Sequence, residues 1–286
     1  MTLEESADLA QAIVNNGGKL HFNKKPIVDK HCLTPKMGIL IKDNNEIKRT
    51  NIGSLVNRFI KETSNKPIEK DLKENIEVAS FDNNFKVSFK KIKRVFKIKY
   101  PNLIFELILR GNKKIKLTGD HEVYLLKNCS VIKKPISECK IGEHVIIPKK
   151  IELPIINKPI EIKTKLENTF RHKKVSNIIS PSLEFARLLG YYVAEGFSNE
   201  QGVFLNFGSH EQHLVLDSIE CAKKVFNTEP TFGKAHETAI RVRLYSENIK
   251  KIFDEWKIGN NAYTKRIPNF IFSWSKELKK EFLSAY

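Results

Sequence analysis

KLTGDHEVYLL, residues 116–126, starts as a β-strand, breaks off and starts again. Thr118 closes the first strand pattern, His121 opens the second, and Gly119-Asp120 separates them. The same texture extends in both directions. MGILI, EVASF, KVSFKKIKRVFKIKY, LIFELILRG and EHVIIP all read as short strands, punctuated by Asn-Asn, Pro-Asn and Gly-Asn turns. One stretch departs from it: IGSLVNRFIKET (52–63) gathers Ile52, Leu55, Val56, Phe59 and Ile60 on one helical face. Residues 32–150 therefore read as one mostly-β module.

The flanks differ. Residues 2–16 have helical spacing at Leu3, Ala7, Ala10 and Val14, a capping box from Thr2 and Glu5, and a stop at Asn16-Gly17-Gly18. Residues 151–181 are rich in Lys, Pro and Asn and read as a linker. From Ser182, a good N-cap, the pattern becomes helix, strand, helix, strand, helix, helix, an α+β unit over 182–286. The expected fold class is thus multidomain: a short helical segment (1–31), a mostly-β module and an α+β domain.

Fifty Lys and Arg against 33 Asp and Glu give +17 in 286 residues. Such an excess favours a polyanionic partner, nucleic acid first, over a merely soluble basic surface. No run of apolar residues is long enough for a membrane span, and the acidic start MTLEESADLAQ is no signal peptide. Four scattered cysteines, Cys32, Cys129, Cys139 and Cys221, make no disulfide framework, which favours a cytoplasmic location. Cys129 and Cys139 lack zinc-ligand spacing, and the histidines of HEQH (210–213) stand at i and i+3, not the zinc-protease spacing.

A cysteine at the seam (Cys32, directly after His31), a Thr-x-x-His segment (Thr118 to His121) within alternating strands, and SECKIGEHVIIP (137–148) as a closing strand together resemble the splicing domain of an intein, the Hint fold. The resemblance covers 32 to about 150. It implies that the Cys32 thiol attacks the carbonyl of His31 across the splice junction, converting an amide to a thioester without a cofactor. It makes His121 the proton donor to the departing nitrogen. Thr118 would orient the junction and support the oxyanion, where one donor is worth about 3 kcal/mol. Asp120 either tunes His121 or is solvated.

LLGYYVAEG (188–196), an apolar helix ending in an acid and a glycine, resembles the first signature helix of LAGLIDADG homing endonucleases. In that family two such helices pack through small residues, here Gly190, Ala194 and Gly196, and their final acids share a divalent metal with the scissile phosphates. The resemblance implies that Glu195 is catalytic and a Mg²⁺ ligand. A structural acid there would oppose the helix dipole by up to about 1 kcal/mol. It also implies that Arg241, Arg243 and Lys265 meet double-stranded DNA at the host-gene insertion site. KRIPNFIFSWSKELKKEFLSAY resembles the approach to the second signature, whose acid the sequence does not contain. A closing His-Asn segment is also absent, so the expectation is a fragment that a separate C-terminal intein piece could complete.

Residues 1–31, ending in PIVDKHC, resemble the thymidine/AMP phosphorylase family, which makes them the flanking host segment and makes Lys30 and His31 part of a host phosphate and nucleotide site. A non-catalytic DNA-binding protein on the LAGLIDADG scaffold would explain the charge and the single acid, but not Cys32 with Thr118 and His121. A plain phosphorylase leaves residues 32–286 unexplained.

Overall fold

The structure is a computed structural model that describes residues 32–82, 84–100, 102–167 and 175–286, together with the backbone of Asp8–Ile13. Two compact units, Met1–Glu152 and Leu153–Tyr286, divide the chain. No helix of the described residues is long and apolar enough to cross a membrane.

The first unit is built from short antiparallel strands. They are β1 (Asp8–Ile13), β2 (Gly38–Asp43), β3 (Glu46–Asn51), β4 (Ile68–Asp71), β5 (Ile76–Phe81) and β6 (Val87–Lys91). There follow β7 (Arg94–Lys99), β8 (Ile104–Ile108), β9 (Lys114–Thr118), β10 (Glu122–Lys127), β11 (Ser130–Pro135) and β12 (His144–Val145). Their orders are β3-β2-β5-β6, β1-β7-β4, β8-β9 and β11-β10-β12. Asn44 and Asn45 both take positive φ between β2 and β3, as do Asn128 and Cys129 between β10 and β11. A two-residue hairpin turn needs that conformation, and asparagine tolerates it.

β7 lies between β1 and β4 and is buried on both faces. Val95 joins the main core with Ile41, Ile52, Leu55, Val56, Ile60, Leu72, Ile76 and Ile92. Phe96 and Ile98 form a second cluster around Cys32. Lys97, also buried, spends its ammonium on Asn57 Oδ1 (3.1 Å) and the Lys61 carbonyl (3.4 Å).

Three local expectations are corrected in this unit. Asp8–Ile13 pairs antiparallel with β7, so at least that part of residues 2–16 is strand rather than helix. Helical spacing is a weak preference, and an open edge of β7 offers six residues a ladder of backbone partners. The capping box at Thr2 and Glu5 lies outside the described residues. The helix expected over 52–63 stops early: α1 is Ile52–Val56. Beyond it the Arg58 and Phe59 N–H groups close tight i→i−3 turns, and the chain then runs beside β7, where Lys99 N–H donates to the Ser64 carbonyl (2.8 Å). The long strand KVSFKKIKRVFKIKY is two strands, parted at Ile92-Lys93, where Ile92 turns into the core.

The second unit begins inside the expected linker. β13 (Ile160–Glu161) pairs with β14 (Ile178–Ile179), and Ile162, Val175 and Ile179 belong to the unit's core. Apolar residues spaced among the lysines and prolines, not visible as a period, dock this stretch. Then come α2 (Leu183–Glu195), β15 (Gly196–Asn199), β16 (Gly202–Gly208), α3 (Gln212–Phe226), β17 (Thr231–His236), β18 (Ala239–Leu244), α4 (Glu247–Glu255), a 3₁₀ turn (Asn269–Ser273) and α5 (Lys276–Ser284). The antiparallel sheet runs β15-β16-β18-β17. β15 and β17 are additions to the expected order. Each carries a glycine and few β-branched residues, so neither reads as a strand alone; each is held by pairing with a stronger neighbour.

Ser182 caps α2 as expected, its Oγ accepting from the Phe185 N–H (3.1 Å). α2 packs on α5 where Gly190 meets it: a Cβ on Gly190 would lie 2.4 Å from the Phe282 carbonyl oxygen and 2.9 Å from the Ala285 Cβ. Arg187 ties three helices together, donating to Asp217 Oδ2 (3.0 Å) on α3 and Glu281 Oε2 (3.1 Å) on α5, while the Tyr191 hydroxyl donates to the same Asp217 oxygen (2.7 Å). Gly190→Ala forces α2 and α5 apart against backbone, so urea unfolding is expected to show the second unit destabilised by about 1–3 kcal/mol.

Candidate functional site

Cys32 is fully buried, beneath Phe96 and Ile98 of β7. Its backbone pairs with the end of β9. The Cys32 N–H donates to Thr118 Oγ1 (3.1 Å), the Thr118 N–H to the Cys32 carbonyl (3.0 Å), and the Thr34 N–H to the Lys116 carbonyl (3.1 Å). Leu33 and Leu117 form an antiparallel bridge between them. The sequence suggested no pairing between Cys32 and Thr118, which stand 86 positions apart.

The Cys32 nitrogen is the amide nitrogen of the His31–Cys32 bond. Thr118, itself fully buried, therefore touches the leaving-group side of that bond. The contact fits the orienting role expected of Thr118, at the junction nitrogen; the His31 carbonyl, where the oxyanion would form, lies outside the described residues. Lys30 and His31, and any host phosphate site they would form, lie outside the described residues.

The turn after Thr118 is tight. A Cβ on Gly119 would meet the Phe105 ring at 2.8 Å, so only glycine lets the chain pass. The Ser137 N–H donates to the Gly119 carbonyl (3.0 Å) and the Ile136 N–H to the His121 carbonyl (2.9 Å). The segment expected as the closing strand thus clamps the turn, and its His144–Val145 portion pairs with β10. His121 is half-buried, with its own N–H on the Thr118 carbonyl (3.1 Å).

Asp120 is the residue whose position the sequence left open. Its Oδ1 is buried and has no hydrogen-bond partner among the described residues, while the residue as a whole is half-buried. Its charge reaches Cys32. Burial pushes the Cys32 thiol up to about 12, and the Asp120 carboxylate pushes in the same direction. Cys32 thus rests as a buried, protonated thiol within electrostatic reach of the Asp120 carboxylate.

In the second unit Glu195 is the exposed last residue of α2. Gly196 carries the chain off the helix over Tyr192, where a Cβ would lie 2.4 Å from the ring. Lys265, expected on DNA, donates to the Ala194 (2.8 Å) and Tyr192 (3.3 Å) carbonyls and so caps the helix C-terminus. Burial lowers its pKa, and the Glu195 carboxylate opposes that shift. Among the described residues no three His, Cys, Asp or Glu side chains gather to hold a metal ion. Glu195 supplies one carboxylate, which by itself does not fit a Mg²⁺ site.

The two faces of the second sheet differ. Val203, Leu205, Phe207, Val242 and Leu244 face the helices, while Phe197, Asn206, Arg241 and Arg243 occupy the opposite face. The Arg241 guanidinium stacks 5.1 Å from the Phe197 ring centre, and its Nε donates to Asn206 Oδ1 (2.8 Å). Arg243 reaches the carbonyls of Arg241 (3.4 Å) and Lys234 (3.3 Å).

A family model described as "Intein splicing domain" matches residues 38–268. Among curated proteins, transcription initiation factor IIB of Methanocaldococcus jannaschii is 28% identical over 86% of this chain and 33% of its own length. Replication factor C small subunit of the same organism is 27% identical over 86% of this chain and 14% of its own. A DNA polymerase of Thermococcus aggregans is 30% identical over 48% and 8%. This chain thus spans a third or less of each relative. Among solved structures, the transcription factor IIB Mvu mini-intein is 28% identical, covering 41% of this chain and 69% of that one at a TM-score of 0.38.

Alkylation reports the state of the thiols. In the folded chain at pH 8, iodoacetamide is expected to modify exposed Cys129 first and to leave Cys32 and Cys221, both pushed up to about 12, untouched. A thiol with such a pKa is about one part in ten thousand thiolate at that pH. Peptide mass spectrometry showing Cys32 modified as fast as Cys129 would contradict the dry, protonated site.

Proposed function

The chain belongs to the intein splicing-domain family, and from that premise we propose that Cys32 starts protein splicing by an N–S acyl shift at His31–Cys32. The observation that carries the proposal is the pairing of the Cys32 nitrogen with Thr118 beside the bare Asp120 oxygen. In the step, Cys32 Sγ bonds to the His31 carbonyl carbon, the C–N bond breaks, and the thiol proton ends on the freed amine of Cys32. Asp120 Oδ1 takes the hydrogen as the sulfur attacks, since a thiol held near 12 cannot ionise beforehand. His121, protonated at the outset, delivers a proton to the departing nitrogen, which Thr118 holds in place, and the proton taken by Asp120 then restores His121, so the net transfer is one proton from sulfur to the freed amine.

Thiol-induced cleavage after His31 tests these roles. Asp120→Asn removes a charge that holds the thiol pKa up. Were the carboxylate only an electrostatic neighbour, that variant would react faster. As proton acceptor its loss slows cleavage, by about a hundredfold or more, the size of a lost general base. Cys32→Ala abolishes cleavage, and unchanged cleavage in that variant would refute the assignment.

The second unit supports a DNA-binding role of the LAGLIDADG endonuclease type. The close α2–α5 contact at Gly190, the strand–helix order and the arginine-bearing sheet face all favour it. Glu195 would be its catalytic acid. A DNA binder without cleavage on the same scaffold is the second reading, and no metal-dependent step is derived from the described residues. The host is read as a thymidine/AMP phosphorylase, from residues 1–31. Relatives with unrelated names, each matched over a minor part of its length, fit an element inserted in a host. Arg241→Ala with Arg243→Ala should weaken binding to duplex DNA carrying the uninterrupted host sequence and lower the salt slope by up to about 2. Fluorescence anisotropy across a salt series measures both, and an unchanged slope would remove these arginines from the interface.

A further inference from the structure

The positive charge is not where a DNA-binding second unit alone would put it. Residues 32–152 contain 26 Lys and Arg against 14 Asp and Glu, so +12 of the +17 belongs to the splicing unit. Part of it is neutralised locally. Arg58 pairs with Asp43 and Glu74, Arg94 with Glu69 and Asp71, Lys134 with Glu143, and Lys42 with Glu77.

The β8–β9 hairpin gathers several cations that have no such partner onto one short ribbon. Arg110, Lys113, Lys114 and Lys116 are all exposed, and among the described residues none of them forms an ion pair. Arg110 and Lys113 flank the Gly111-Asn112 turn, and Lys114 and Lys116 stand two apart on β9, on the same side of the ribbon. Lys36 adds to them: the residues either side of it bind β9, Thr34 N–H donating to the Lys116 carbonyl (3.1 Å) and Lys116 N–H to Met37 Sδ (3.2 Å). The only acid on that side of the ribbon is Glu106, opposite Lys116.

We infer that this hairpin is a phosphate-backbone site for double-stranded nucleic acid, carried by the splicing unit itself. Unpaired lysines and an arginine along one side of a two-stranded ribbon match a row of phosphates, and a ribbon is a shape the major groove admits. Single strands are held largely by stacking on aromatic rings. The side bearing Lys114 and Lys116 offers Ile108 and no ring, so the site takes a duplex and reads no sequence. The inference does not depend on the endonuclease reading of the second unit.

The test uses the full chain, as Cys32→Ala to prevent cleavage, and a fluorescent duplex of arbitrary sequence in a salt series. Arg110→Glu, Lys113→Glu and Lys114→Glu together should weaken binding about tenfold or more and lower the salt slope by about 3. A control triple, Lys66→Glu, Lys73→Glu and Lys140→Glu, makes the same change in net charge at scattered exposed positions. The milder Arg110→Gln, Lys113→Gln and Lys114→Gln set should act in the same direction, and all six sites are exposed, so folding is preserved. An unchanged slope in the hairpin variants, or an equal loss in the control triple, overturns the inference. Loss with Arg241→Ala and Arg243→Ala but not with the hairpin sets leaves the sheet reading standing and this one refuted; the reverse does the opposite.

Discussion

The site around Cys32 depends on one register: Cys32 to Thr34 lying antiparallel to Lys116 to Thr118. That short ladder fixes the scissile nitrogen on the Thr118 hydroxyl. It seals the thiol under Phe96 and Ile98, and it brings Asp120 within electrostatic reach. A shift of one residue would turn Thr118 to the other face and expose the thiol. β8, paired with β9, and β7, whose Phe96 and Ile98 cover Cys32, keep that register.

The cost of burying Cys32 is a thiol that does not ionise near neutral pH. A free thiolate would be the better nucleophile, but it would also be exposed to adventitious chemistry. In the proposed mechanism a protonated thiol within reach of the Asp120 carboxylate makes attack and proton removal one event. In the proposed mechanism Asp120 and His121 serve opposite ends of the proton's path, sulfur and nitrogen.

The sequence made the β texture of 32–150 legible because alternation and Asn-rich turns are local signals. It also made Thr118, His121 and Cys32 legible as chemistry-bearing residues, though not their contact, which depends on pairing across a long loop. Misreadings arose where tertiary contacts outvote local pattern. Asp8–Ile13 has helical spacing and lies on a sheet edge. Residues 151–181 look like linker, yet Ile162, Val175 and Ile179 enter a core. Asp120 was ambiguous because burial of a single oxygen leaves no trace in a one-dimensional pattern.

The central claim is that Cys32 attacks the carbonyl that precedes it. Intact-mass spectrometry of the protein incubated with a small thiol tests this most directly. The account predicts two products: residues 1–31 ending as a thioester of the added thiol, and a partner beginning at Cys32. Cleavage at another bond, or the same products from a chain lacking the Cys32 sulfur, would contradict it.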